Sequence, residues 1–433
     1  MKLTGWGNNI DVNSNILYPR NNKEIIKILK DKKINRILCR GLGRSYGDNN
    51  LNSNVILLSN YKKKFSIDKK NKTLSCTANL SINEICDILI KKGFFFHVTP
   101  GSKNVTIGGA IANDVHGKNH HIDGSFSNYL QEIQLITSDG KFKTCSLKKN
   151  QDLFKATCGG AGLTGVIISA KLNLLKINSK NIDVSLSYGS SVRETISKLK
   201  KLKKRKYLIA WMDTVSRKNF GRSIIISGKH SNDKDFNFKK KTKIKFPALI
   251  GKILINKTTI RIFNYFYYHL NKKKISFKQD IDNFFYPLDQ VSNWNKFYGK
   301  KGFAQIQILI PEKKKLVEIV NKIFHFLNKN KLYSYLTTMK EFRYANQNYL
   351  SFPEKGLTIT LDIPVTKKLN LLYPKLEKIF IQHNIKVYLA KDSYMSKKHF
   401  NKSYKKINMF KKIKHKIDKE NKFSSVQSRR LEI

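Results

Sequence analysis

Residues 40–48 (RGLGRSYGD) hold three glycines within seven positions and follow a short apolar run at Ile34, Ile37 and Leu38. Glycine tolerates positive φ and lets a backbone come close to a ligand. Successive amides in such a turn converge into an anion-binding nest. The spacing is G-x-G-x-x-x-G rather than the G-x-G-x-x-G that opens a Rossmann helix, and no helical periodicity follows it. A phosphate cradle of another kind and a plain tight turn both fit these residues alone. Two further clusters bear on the choice. Pro100, Gly101 and Ser102 lead into residues 108–121 (GGAIANDVHGKNHH), and residues 159–165 read GGAGLTG. Three glycine-rich loops separated by short strands suit a long ligand held by several backbone segments.

A chain of 433 residues suffices for two domains and a large core. Its 84 Lys and Arg against 30 Asp and Glu give a net charge of +54 and a pI of about 10.1. Such charge invites an anionic partner, either nucleic acid or a membrane surface. Lys, Asn and Ile are spread evenly, loops included, as the codon bias of an AT-rich genome would spread them. Compositional drift and a working basic surface therefore both account for the charge. No nucleic-acid motif accompanies it, and no nucleic-acid partner is expected. Cys39, Cys76, Cys86, Cys145 and Cys158 are odd in number, irregularly spaced and free of any C-x-x-C pair. Free thiols in a reducing cytoplasm are expected, and no metal site, since no histidine falls at zinc-site spacing. There is no signal-peptide pattern and no apolar run of transmembrane length. The expected localisation is cytoplasmic, with peripheral contact at the inner membrane face left open.

Periodicity assigns the chain to the α+β class. Residues 23–32 read as a helix with Ile25, Ile26, Ile28 and Leu29 as its buried stripe. Residues 55–77 alternate as antiparallel strands. Residues 81–92 form a helix with Ser81 and Glu84 as a capping box, and 93–98 a buried strand. Asp139-Gly140 closes a hairpin. A helical turn at 152–157 and a strand at 166–175 complete a first domain near Ile177. The second domain mixes helices at 191–202, 313–327 and 373–383, the last with Pro374 in its first turn, with strands at 207–213, 223–227, 303–310 and 357–363. Within it, residues 233–278 are dense in lysine and hold an apolar run at 246–255. They also hold the cluster Phe263, Tyr265, Phe266, Tyr267 and Tyr268. Basic and aromatic interleaving marks a membrane-surface segment or a loop that closes over a site. Residues 387–391 read as a strand ending in lysine, 396–417 as a basic helical tail, and the last residues as a strand or turn.

The motifs RGLGRSYGDN (40–49), GGAIANDVHGKNHH (108–121), GGAGLTG (159–165) and AKDS (390–393) together resemble those of the FAD-linked oxidases of the vanillyl-alcohol oxidase and p-cresol methylhydroxylase type. Within that family they are most similar to the oxidase components of decaprenylphosphoryl-ribose 2-epimerases. The likeness runs from residues 3–7 (LTGWG) to the last residues of the chain. It implies a two-lobed FAD-binding domain of the PCMH type over 1–177. A substrate-binding domain of mixed sheet and helix follows at 178–385, and 386–433 return to the FAD domain. The resemblance implies that FAD is held by Arg40, Gly41, Leu42, Gly43, Arg44, Ser45, Tyr46 and Gly47. Contacts from Gly101, Ser102, Gly108, Gly109, Asn113, His116 and Gly117 join them, with Gly162, Gly165, Val166 and Tyr388. Many relatives bind the flavin covalently through a histidine of the first loop. Tyr46 stands there in this chain and the loop has no histidine, so non-covalent FAD is expected.

The same resemblance implies Lys391, His116 and Tyr46 as candidates to receive the substrate's hydroxyl proton, with Lys391 also a cation beside the flavin. It implies Lys118, Trp211, Gln305, Gln307, Lys340, Thr360 and Lys391 as substrate contacts, with Lys118 meeting a phosphate. Thr360 and Thr358 stand where relatives carry a cysteine and an asparagine, so inhibitors that need that thiol are expected to fail. The implied reaction is FAD-dependent oxidation of the 2-hydroxyl of a polyprenylphosphoryl-ribose to the 2-keto sugar. This is the first half of an epimerisation to the arabinose form used in cell-envelope polysaccharide, completed by a separate NADH- or NADPH-dependent reductase. Oxidation of a free sugar alcohol or aldonolactone by the same chemistry stays open. A basic binding protein on a dead flavin fold is the other alternative, and the intact loops and Lys391 speak against it.

Overall fold

The computed structural model describes residues 1–216, 220–238, 255–272 and 275–433. The N-terminal part forms two lobes. One is a parallel three-stranded sheet in the spatial order Asn15–Leu17, Asn54–Leu57, Leu38–Arg40. It is backed by the helix Asn22–Lys30, which buries Ile25 and Leu29. The alternation at 55–77 predicts antiparallel strands throughout, but the first of them pairs in parallel. A period of two reports a half-buried strand and not its partner's direction. The helix carries the chain over between the strands 15–17 and 38–40, and the first glycine loop carries it back between 40 and 54, so all three strands run the same way. The second lobe is an antiparallel sheet in the order Phe142–Cys145, Leu130–Ile136, Val166–Lys176, Thr73–Thr77, Phe65–Asp68, with Phe94–Phe96 on the far end of the long strand. Both bonds of the Ser81–Glu84 capping box form, and Gly140 takes the hairpin turn at φ +78°.

An antiparallel eight-stranded sheet dominates the rest. Its order is Ser276–Asp280, Asn181–Gly189, Ser223–His230, Tyr207–Met212, Thr337–Phe342, Gly356–Pro364, Phe303–Pro311, Lys386–Val387. Alternation along Phe303–Pro311 divides its side chains. Ala304, Ile306, Ile308 and Ile310 join a core with Val320 of the helix Leu316–Lys329 and Phe380 of the helix Lys367–Gln382. Each such aliphatic side chain contributes about 1.5–3 kcal/mol by burial. Gln305 and Gln307 lie on the opposite face, towards the first domain. Pro374 is not in the first turn of its helix. Thr366 caps the helix by accepting from the Leu369 amide, which starts it more than a turn earlier. Pro374 is exposed, so the Asn370 carbonyl it cannot bond is left to solvent.

The tail returns to the first lobe. The Ile37 amide donates to the Lys422 carbonyl (2.8 Å) and the Ser424 amide to the Ile37 carbonyl (3.1 Å). Lys391 lies on a 3-10 turn, Leu389–Lys391, rather than at the end of a strand. The chain ends in a helix, Val426–Leu431, not in a strand or turn, because Ser425 and Ser428 cap each other's backbone amides. Of the apolar run at 246–255, all but Ile255 lies outside the described residues. The aromatic cluster after it falls on the helix Lys257–Lys272. No helix among the described residues is long and apolar enough to cross a membrane.

Candidate active site

A cavity of about 1300 Å³ lies between the first domain and the polar face of the large sheet. All three glycine loops reach it. Arg40, Gly41, Leu42, Gly43, Arg44, Ser45 and Tyr46 line it from the first, and Gly101, Ser102, Gly108, Gly109, Asn113, His116 and Lys118 from the second. Gly162 and Gly165 come from the third. Trp211, Gln305, Lys340, Thr360, Tyr388 and Lys391 close the opposite wall. A Cβ on Gly101 would meet nothing within 4 Å, so that backbone faces open space. Gly43 is required for another reason: its φ is +66° and a Cβ would strike the Arg40 guanidinium at 2.2 Å.

The first loop and the Lys391 turn are pinned to each other. The Tyr46 amide donates to the Ala390 carbonyl (2.9 Å). Gly47 does not line the cavity. It lies against Asp392, whose carbonyl oxygen would be 1.6 Å from any Cβ there. Below this contact Arg430 donates to both oxygens of Asp48 (3.0 and 2.9 Å) and to Asp392 Oδ2 (2.8 Å). Both carboxylates are buried. One guanidinium thus joins the glycine loop, the lysine turn and the last helix. The sequence motifs include Asp48 and Asp392 but give them no task, and Arg430 lies outside those motifs. Their separation of 382 residues between Asp48 and Arg430 leaves no local signal.

The cation cluster is the electrostatic centre of the cavity. Lys340 Nζ lies 3.3 Å from His116 Nδ1, and the Gln307 amide nitrogen lies 3.0 Å from His116 Nε2. Burial, then Lys391 and Lys118, hold the Lys340 ammonium well below its ordinary range. Burial, then Lys340, Lys391 and His120, do the same for His116. One proton arrangement satisfies both contacts: His116 Nδ1–H donates to a neutral Lys340 amine, and Nε2 accepts from Gln307. Burial pushes Lys118 down to about 7. Lys391 is lowered by burial and partly restored by Asp362, a fully buried carboxyl that burial raises and that accepts from the Gln305 amide (2.7 Å). The Lys391 ammonium sits 5.5 Å from the Tyr46 ring centroid, and burial keeps the Tyr46 phenol protonated. Cys39 also lines the cavity, and burial raises its thiol to about 12, so it stays protonated.

Three more expected contacts sit behind the lining. Gln307 is buried under His116 and also donates to Thr358 Oγ1 (2.9 Å). Val166 packs in the core of the parallel lobe. The Gly117 carbonyl accepts from Lys340 at 3.5 Å. The structure adds a wall absent from the sequence expectations, at residues 283–298. Asp289 accepts from Ser102 Oγ and the Lys103 amide (both 2.8 Å), Lys118 donates to the Phe284 carbonyl, and Trp294 and Tyr298 join the lining. Its aromatics are scattered at neither a helical nor a strand period, so no cue along the chain announces it.

Residues 14–146 match a family model described as an FAD binding domain. Over 450 aligned positions, covering 100% of this chain and 97% of the relative, the chain is 29% identical to decaprenylphosphoryl-beta-D-ribose oxidase of Mycolicibacterium smegmatis. It is 25% identical to D-lactate dehydrogenase of Archaeoglobus fulgidus over 37% of this chain and 38% of that protein. To Delta(24)-sterol reductase of Rattus norvegicus it is 26% identical over 25% of this chain and 21% of that protein. The cavity suits FAD on its own terms. It exceeds the roughly 300–1,000 Å³ of common ligand sites, leaving room for a second molecule beside a dinucleotide. Arg40, Arg44, Lys63, Lys118, Lys340 and Lys391 line it against only Glu84 and Asp289. Both acids are already engaged, Glu84 by Lys63 and Ser81, Asp289 by the second loop. A diphosphate would therefore meet glycine backbone and basic side chains, among them Arg40, Arg44 and Lys118, that make no ion pair with a carboxylate among the described residues. On this cavity and these likenesses together, the chain is an FAD-dependent oxidase.

Proposed function

We propose that the chain oxidises the 2-hydroxyl of a polyprenylphosphoryl-ribose to the 2-keto sugar, the first half of an epimerisation to the arabinose form. The observation that carries this reading is that Lys118, Lys340 and Lys391 all line the cavity and none makes an ion pair within 4 Å among the described residues. Buried lysines without carboxylate partners are costly to charge unless an anion joins them, and a phosphate on the sugar is such an anion, which would draw Lys118 and Lys340 into their charged forms. The full-length likeness to a decaprenylphosphoryl-beta-D-ribose oxidase supports the same substrate class. In the reading proposed here, residues 1–177 with 386–433 hold the cofactor non-covalently and 178–385 hold the sugar lipid.

Oxidation of the alcohol removes two electrons and two protons. Bound FAD supplies the two-electron acceptor. The chain's own task is to receive the hydroxyl proton, and Lys391 is the residue we assign. The Tyr46 phenol is held protonated by burial, and both ring nitrogens of His116 are already engaged. Burial favours the neutral amine of Lys391. Lys118 and Lys340 hold the phosphate, and His116, braced by Gln307, orients the sugar. A separate NADH- or NADPH-dependent reductase would consume the keto product. The test is the visible absorbance of the purified yellow protein, held anaerobically, before and after addition of a polyprenylphosphoryl-ribose. Bleaching is expected. A flavin that stays oxidised with this substrate and is bleached by a free sugar alcohol or lactone would move the substrate to that class.

A further inference from the structure

The cavity continues past the cation cluster into a mainly apolar region, with Thr259, Asn271 and Gln279 among its lining. Four neighbouring strands of the large sheet, Ser276–Asp280, Asn181–Gly189, Ser223–His230 and Tyr207–Met212, turn one face towards it. That face carries Phe277, Val184, Leu186, Ile226, Ile224 and Ile209. They form one patch because cross-strand register sets Val184 opposite Phe277, Leu186 opposite Ile226, and Ile226 opposite Ile209. The helix Lys257–Lys272 lies over the patch, held by Tyr268 edge-on to Tyr188 (5.8 Å) and beneath the Arg222 guanidinium (4.7 Å), and by the Tyr188 hydroxyl on the Asn271 carbonyl. The Asn264 amide donates to Asp213 Oδ1 (2.9 Å) and Tyr267 packs edge-on against Trp211 (4.9 Å). Asn264 is its only fully buried residue, and the cavity runs between helix and sheet, touching Ile260 and Phe263 on the helix side. A packed helix closes such a gap; among the described residues this one leaves it open. Lys118 stands at the junction, its Nζ 4.6 Å from the Phe284 ring centroid, with glycine loops on one side and the apolar corridor on the other.

We propose that the corridor between this sheet face and the helix Lys257–Lys272 binds the hydrocarbon chain of the substrate, with the attached phosphate at Lys118. The inference rests on the sugar-lipid reading above and adds the place where the lipid goes. A cation at the mouth of a continuous apolar slot is complementary to a phosphate with a hydrocarbon tail, and to neither half alone. The corridor crosses three interstrand spacings, roughly 14 Å, so it receives the isoprene units next to the phosphate. The rest of a long chain passes out beside the helix, whose outer face is itself apolar: Ile262, Phe266 and Leu270 are more than half exposed. Affinity therefore grows over the first few isoprene units and then levels.

The test uses the flavin-loaded protein and isothermal titration with inorganic phosphate, methyl phosphate and farnesyl phosphate. Farnesyl phosphate is expected to bind at least about ten-fold more tightly than methyl phosphate, since two well-buried methylenes suffice for that, and with a negative heat-capacity change. Ile226→Trp, which fills the corridor, and Phe263→Asp, on the exposed helix and without risk to the core, should each remove that advantage. Binding of inorganic phosphate and the flavin spectrum should persist in both. Equal affinity for methyl and farnesyl phosphate, or an advantage that survives both substitutions, overturns the proposal. If farnesyl phosphate binds as expected while polyprenylphosphoryl-ribose leaves the flavin oxidised, the lipid site stands and the sugar-oxidation reading falls.

Discussion

Lys391 is fixed from two sides. Its amide donates to the Tyr388 carbonyl (2.9 Å), and its ammonium lies over the Tyr46 ring. Burial disfavours the charged form and Asp362 favours it; burial is the larger effect, so the pKa falls. A base with a lowered pKa gains its active, neutral form as pH rises through a value below the ordinary lysine range. The rate of flavin reduction by substrate should rise along that limb. Lys391→Ala and Lys391→Arg should both slow it by about 10²–10⁴-fold, and the limb should vanish in the arginine variant, which keeps the charge but cannot take a proton. Stopped-flow traces across pH 6–10 check this, on roughly the span over which a buried lysine titrates. A near-normal rate with arginine would leave Lys391 a positioning charge. At this scale the sequence was informative in one respect. Gln305 and Gln307 interrupt an otherwise apolar strand, and polar residues inside such a strand mark the face that meets something other than core. Periodicity could not tell that Gln305 reaches the cavity while Gln307 stops under His116. Both point to the same side, and only the packing above them differs.

Among elements, the decisive contact is the one that draws the last helix under the first glycine loop. Arg430 serves two buried carboxylates on segments that approach closely only because Gly47 has no side chain. Removing one partner of a buried ion pair costs about 3–5 kcal/mol, because the other charges stay buried without compensation. Arg430→Ala should therefore lower the unfolding free energy by that order. It should also release FAD at lower denaturant than the wild type, since the loop and the Lys391 turn share the anchor. Flavin fluorescence followed alongside circular dichroism during urea unfolding checks both. A variant that unfolds earlier yet holds flavin to the same midpoint as its secondary structure would confine Arg430 to stability. The helix termini were legible in advance wherever the cap is local, as with the Ser81–Glu84 box. They were misjudged at 373 and at the C-terminus. The Thr366 cap lies outside the apolar stripe that suggested the helix, and a Ser425–Ser428 pair gives no apolar period at all.

For the molecule as a whole, the question is what kind of surface a net charge of +54 would meet. The helix Lys257–Lys272 carries Lys257, Arg261 and Lys272 and no acidic residue, with Phe263, Phe266 and Leu270 exposed. A basic helix with an outward apolar face suits the surface of an anionic membrane. Co-sedimentation with vesicles containing anionic phospholipid should be strong at low salt and weaken as salt screens the charge. Phe266→Ser with Leu270→Ser should reduce it several-fold without changing flavin content. Binding that the double variant leaves intact would return the charge to compositional drift. What the sequence determined by itself was local: turns in the first and third glycine-rich segments that positive φ reserves for glycine, alternation that divides a strand into a core face and a site face, caps read from four consecutive residues. Tertiary structure alone decided which of those pieces face one another. The Asp48–Arg430 anchor, the Lys391 turn beside Tyr46, and the corridor between a sheet face and the helix over it join residues hundreds of positions apart. Burial and charge pairing act through space, and no period along the chain records them.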